Sequence, residues 1–214
     1  MKLAGNIISV IVLSIGAVLL VRVVFPYYDP AYFPNANFVL SKNIIAESLL
    51  WKIAFFIHIW FALLVIIFSP VQFINYIRVH YPRLHHFSGW CYITGVFIAA
   101  PAGLIMAWYA NGGKWASAGF LSLGLLWLLT TWYALKAIRK GDIIQHEEWM
   151  IYSVALTYSS VTLRIMVPAL FLFTSLSHTS IYVIIAWFSW IFNLGIAQLI
   201  INIKKRKIKY RIQH

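Results

Sequence analysis

Six stretches of the chain, residues 3–25, 49–73, 87–109, 116–138, 149–173 and 181–203, are each apolar for about the twenty residues that a helix needs to cross a bilayer. Hydrocarbon offers no partner to a peptide N–H or C=O, so a crossing segment must satisfy its own backbone, and only helices and closed barrels do this. The alternating ten-residue segments of a membrane barrel are absent. The sequence therefore predicts an all-α, polytopic membrane protein, with six transmembrane helices in one bundle and a single domain over residues 1–214. Composition excludes a soluble core with a polar shell, because 62% of the residues are hydrophobic and only 10% are charged. The first run follows Lys2 as a signal peptide would, but its apolar core is too long and no small-x-small cleavage pattern follows, so it is read as a helix.

Charge orients the bundle. With six crossings, both termini and the second and fourth connections share one side, which holds 12 of the 17 Lys and Arg residues: Lys2, Arg78, Arg83, Lys136, Arg139, Lys140 and the six bases of the tail. The opposite side has Arg22, Lys42, Lys52 and Lys114, and Arg164 lies within a span. The positive-inside rule then places both termini in the cytoplasm. The tail, residues 204–214 with the run KKRKIKYR, is expected on anionic lipid headgroups, and the net charge of +12 needs no nucleic acid to explain it. A lone cysteine, Cys91, excludes an internal disulfide and a Cys-x-x-Cys-His haem attachment.

The fifth run carries the chemistry. At about 100° per residue, His146, Met150, Ser153, Thr157, Ser160 and Arg164 fall on one face of a helix, a polar stripe that cannot face lipid. An arginine at such depth costs several kcal/mol unless it is paired or hydrated. His58 lies about ten residues from the outer end of the second run and Arg164 about nine from the outer end of the fifth, so the two share a depth and are expected to line one polar pocket. Its electropositive floor would suit a small anionic or quinone-like ligand.

A second polar level lies at the inner interface, with His85 (or His86), His146, Gln72 and Glu147. Two neutral imidazoles from different helices at one depth are what axial ligation of a b-type haem requires, so His85 and His146 are the candidate ligands of one haem iron. A second haem lacks its histidines, since the position opposite His58, near Ile98, is apolar. A metal cluster of His85, His86, His146 and Glu147 is disfavoured because adjacent helical side chains diverge by about 100°. The zincin helix motif is missing after His146-Glu147, and no Ser-His-Asp set or phosphate-cradling glycine loop is present. The fourth run reads as greasy scaffold, the glutamates as a dipole-matched first turn, and the proline-rich outer loop PYYDPAYFPNANF as an aromatic interfacial belt rather than a cap.

The run 82–168, with PRLHHFSGWCY, GGKWASAGFLSLGLLWLLTTWYALKAIRKGD and HEEWMIYSVALTYSSVTLRIMVP, together with His58 and Gln72, resembles a family of predicted bacterial membrane proteins known only as a domain of unknown function. The resemblance rests on His85, Gly89 and Tyr92 in the pattern His-x-x-x-Gly-x-x-Tyr, and on His146, Trp149, Met150, Leu163 and Arg164; the family-like core is about 48–173. It departs at His86 and Tyr152, where the family's pattern has arginine. The resemblance implies the bacterial inner membrane and no particular activity. The residues themselves lead to a b-type cytochrome-like or quinone-reactive redox protein, against a small-solute or proton-coupled transporter and an accessory subunit whose polar groups only knit helices.

Overall fold

A computed structural model describes the backbone of residues 2–212 and the side chains of 10–42 and 45–206; the basic side chains of Lys2, Lys207, Lys209 and Arg211 lie outside the described residues. Among the described residues every regular element is helical: α1 (Lys2–Val24), α2 (Asn37–Leu40), α3 (Leu49–Gln72), α4 (Asn75–His80), α5 (Pro82–Trp108), α6 (Gly113–Arg139), α7 (Ile143–Thr157), α8 (Ser159–Phe173) and α9 (His178–Ile212), with short 3-10 turns between α1 and α3. Six spans are long and apolar enough to cross a membrane, α7 and α8 together forming the fifth. Six crossings put both termini on one face, called here the terminal face, and the 25–48 connection on the far face.

Local chemistry sets the boundaries. Pro82 occupies the first turn of α5, where its missing N–H has no helical partner to lose. Gly112 and Gly113 adopt φ of +96° and +72°, a left-handed turn that glycine enters without strain. Asp142 caps α7, its Oδ1 accepting from the Gln145 N–H at 2.9 Å.

The bundle is held where backbones come close. A Cβ on Gly95 of α5 would stand 2.6 Å from Val65 Cγ2 of α3, and one on Gly119 of α6 would stand 2.8 Å from the Ala186 carbonyl of α9. Small residues at such crossings let helices pack without help from water. Val65, Tyr92, Val96, Trp127, Leu135, Met150, Val154 and Trp190 fill the centre between α3, α5, α6, α7 and α9. Ala17 and Leu20 lay α1 against Ile66 of α3 and Tyr158.

Three features depart from the reading above. The fifth crossing is not one continuous helix. It breaks at Tyr158, φ −77° and ψ −2°, within a run of hydroxyls that bond back to nearby carbonyls: Thr157 to Ser153 at 3.0 Å and Ser160 to Thr157 at 2.8 Å. Such bonds compete with the helical ladder and bend it. The last helix is longer than its apolar core and runs unbroken into the basic tail. The far connection, finally, is a docked cap. Tyr27, Phe33 and Phe38 pack around Phe55 at ring separations of 5.4, 5.4 and 6.0 Å, over a Trp51 that is 1% exposed.

Candidate functional site

The polar side chains sort into three levels along the bundle. At the terminal face, His85 sits in the first turns of α5 with its Nδ1 buried and without a hydrogen-bond partner. Its ring lies 6.1 Å from that of His86, and it is within electrostatic reach of His146 and Arg78. His146, on the first turn of α7, places Nδ1 2.9 Å from the Ala134 carbonyl of α6. A carbonyl only accepts, so Nδ1 carries the proton and Nε2 is left bare. Gln72 is drawn to the Ser88 hydroxyl and the α5 backbone rather than to the imidazole: its amide donates to Ser88 Oγ at 2.6 Å and to the His85 carbonyl at 3.4 Å.

The two glutamates beside His146 are not in the first turn as expected, because α7 begins at Ile143 behind the Asp142 cap, and they pair across helices instead. Glu147 pairs with Arg78 at 2.8 Å and Lys204 at 3.5 Å, and Glu148 pairs with Lys205 at 2.9 Å. These contacts tie α4 and α9 to the start of α7. Tyr152 donates to Gln198 of α9.

The middle level is a closed hydroxyl cluster that the sequence reading did not assemble. Tyr92 of α5 meets Ser153 at 2.8 Å and Thr157 at 2.9 Å on α7. The Trp127 indole of α6 donates to Thr157 at 2.9 Å, and Thr131 meets Ser153 at 2.7 Å. All five side chains are buried. In a medium of low dielectric, satisfied polar networks of this kind fix helix positions. The signal was present in the stripe and in Tyr92 of the His-x-x-x-Gly-x-x-Tyr pattern; Trp127 and Thr131 lay hidden in the greasy fourth run.

The far level holds His58 and Arg164. His58 Nδ1 donates to the Ala99 carbonyl of α5 at 2.9 Å, and a Cβ on Gly103 would stand 2.8 Å from the same nitrogen, so the imidazole occupies the space that glycine leaves. Arg164 turns back along α8, donating from Nη1 to the Ser160 carbonyl at 3.0 Å rather than reaching for the headgroups. It is within electrostatic reach of His58 and of Tyr27. Ala99 lies fourteen residues beyond His85 on α5, so the far and terminal levels are about 21 Å apart along the axis. They are separate sites, with the hydroxyl cluster between them.

Above the far level, Lys42 anchors the cap. Its ammonium donates to the Tyr109 carbonyl at 2.7 Å and to Asn111 Oδ1 at 2.9 Å, and sits 5.0 Å from the centre of the Phe38 ring. The residue is 8% exposed, and burial pulls its pKa down to about 8. Among the described residues no three His, Cys, Asp or Glu side chains gather as a metal cluster; two axial histidines would not form one.

The chain matches the family model described as "Predicted membrane protein (DUF2306)" over residues 55–201, from within α3 to within α9, so the match includes all five candidate residues and extends through most of the last span. No curated protein and no solved structure matches it. Since the match covers well over half of the chain, the protein belongs to the DUF2306 family of predicted membrane proteins.

Proposed function

We propose that the protein is a b-type cytochrome-like or quinone-reactive redox protein of the bacterial inner membrane, with its terminal face cytoplasmic and one haem b taken between His85 and His146. The observation that carries this reading is the state of the two rings. His85 has a buried nitrogen with no partner, and His146 is held by the Ala134 carbonyl so that only Nε2 is available. An unpartnered buried polar atom costs about 1–3 kcal/mol, which an iron bond would offset. A backbone bond to the far nitrogen is how metal-binding histidines are oriented. Bound there, the haem would supply one-electron transfer, with the exposed Arg83 as a base for its propionates and the basic tail resting on anionic lipid headgroups. The test is the absorption spectrum of the detergent-purified protein, oxidised and then reduced. A Soret band that His85→Ala and His146→Ala each remove supports the reading, and a colourless protein after haem supplementation ends it.

A second reading, a small-solute or proton-coupled transporter, is favoured by one observation. The fifth crossing is discontinuous at Tyr158, and interrupted helices at mid-membrane depth are where transporters bind. A colourless protein that moves protons or solute across proteoliposomes would favour it over the first.

A further inference from the structure

We infer a second site, independent of the histidine pair: Arg164 and Tyr27 bind a carboxylate in the far half of the bundle, with His58 beside them. The argument begins with an uncompensated charge. A guanidinium stays protonated at any accessible pH and carries five N–H donors. Among the described residues Arg164 has one hydrogen-bond acceptor, the carbonyl of Ser160 at 3.0 Å. The ion pairs among them, Arg78–Glu147, Lys204–Glu147 and Lys205–Glu148, all lie at the terminal face. The acids of the far face do not answer it. Asp29 is exposed and turned to its own loop, accepting from the Ala31 N–H at 2.8 Å, and Glu47 is exposed.

What surrounds the guanidinium suits a small monoanion. Tyr27, in the 3-10 turn that follows α1, is within electrostatic reach of Arg164 and of Tyr182 on α9, and its phenol can donate to an oxygen. His58, with Nδ1–H committed to the Ala99 carbonyl, presents a bare Nε2 that takes a water or a ligand hydroxyl. The Tyr27 ring packs on the buried Phe55, ring centres 5.4 Å apart, which holds the phenol in place. One positive charge is balanced by one negative charge, and the planar fork of arginine matches the two oxygens of a carboxylate. A dianion would leave an excess charge in a region where charge is costly. The carboxylate could belong to a soluble acid or to a fatty acid of the bilayer, since the head chemistry is the same.

The experiment uses the full chain in maltoside micelles, with thermal unfolding followed against benzoate, acetate and octanoate, and with chloride at matched ionic strength as the control. A ligand that binds the folded state raises the midpoint in a saturable way. The expected result is saturation by carboxylates, its loss in R164Q, an affinity at least tenfold weaker in R164K, and no change in R139Q, whose arginine is exposed at the terminal face. Response to benzoate and acetate supports a soluble acid, and response to octanoate alone supports the lipid source. Should R164Q fail to accumulate, R164K and Tyr27→Phe carry the test, and unchanged affinity in both overturns the inference. A midpoint that chloride raises equally, or that no carboxylate raises, overturns it too.

Discussion

The phenol of Tyr158 donates to the carbonyl of Leu13 at 2.7 Å. Tyr158 is the residue at which the fifth crossing breaks, and the same oxygen lies 3.0 Å from Ser69 of α3, so the break is pinned to two other helices. Tyr158→Phe removes both bonds and should cost about 1 kcal/mol, the usual net worth of such a contact. Ser69→Ala should cost less, because Ser69 also bonds the Ile66 carbonyl of its own helix. Unfolding in mixed micelles measures both. Equal stability of Tyr158→Phe and the parent would mean that the pin contributes nothing.

Two glycines predict an order of effects. Alanine at Gly103 meets the His58 ring at 2.8 Å, and alanine at Gly119 meets the Ala186 carbonyl oxygen at 2.8 Å and carbonyl carbon at 3.0 Å. A side chain can rotate away at the loss of one hydrogen bond, about 1 kcal/mol. A backbone yields only if α6 and α9 separate, about 1–3 kcal/mol or more. Gly119→Ala should therefore be the more destabilising, even after the helix propensity that both substitutions gain. The reverse order in chemical denaturation would contradict the packing.

Lys42 makes the cap sensitive to pH. Its folded pKa, about 8, lies below the ordinary 10.5, so between these values the undocked loop binds more protons than the docked one, and docking strengthens as pH rises. The burial penalty, on the order of 3 kcal/mol, is fully present below pH 8 and relieved by about pH 10.5. Limited proteolysis of the 25–48 connection should slow from pH 7.5 to pH 9.5, and Lys42→Met should flatten the trend. A connection cut faster at the higher pH would reverse the sign.

Glu147→Gln breaks the pairs with Arg78 and Lys204, side chains that are 45% and 48% exposed. Exposed pairs are worth little, so the loss should stay within about 1 kcal/mol and shrink in high salt. Unfolding midpoints at low and high ionic strength check this.

How much was legible follows the physics of each signal. Apolar length located all six spans, because the bilayer acts on every crossing residue alike. Helical period put Ser153 and Thr157 on one face, and that face does meet Tyr92. Counting from helix ends set His58 and Arg164 at one depth, and the structure brings them within electrostatic reach. Period does not say which neighbour a face meets, so nothing in the fourth run marks Trp127 and Thr131 as partners of that stripe. The break at Tyr158 has neither glycine nor proline to mark it, since it arises among hydroxyls bonding back to their own carbonyls. The burial of Lys42 was illegible because it depends on how an irregular loop folds back, and no periodicity records that.

The last helix has a mechanical consequence. At 35 residues it is about 52 Å long, against a hydrocarbon core of about 30 Å. It is gripped at both ends: Ile181 and Ile185 are fully buried near its start, Ala197 and Ile201 are buried near the terminal face, and Lys204 and Lys205 are fastened to Glu147 and Glu148. A helix held this way cannot tilt alone to absorb a hydrophobic mismatch. A thinner or thicker bilayer would then have to lean the bundle as a whole rather than this one helix.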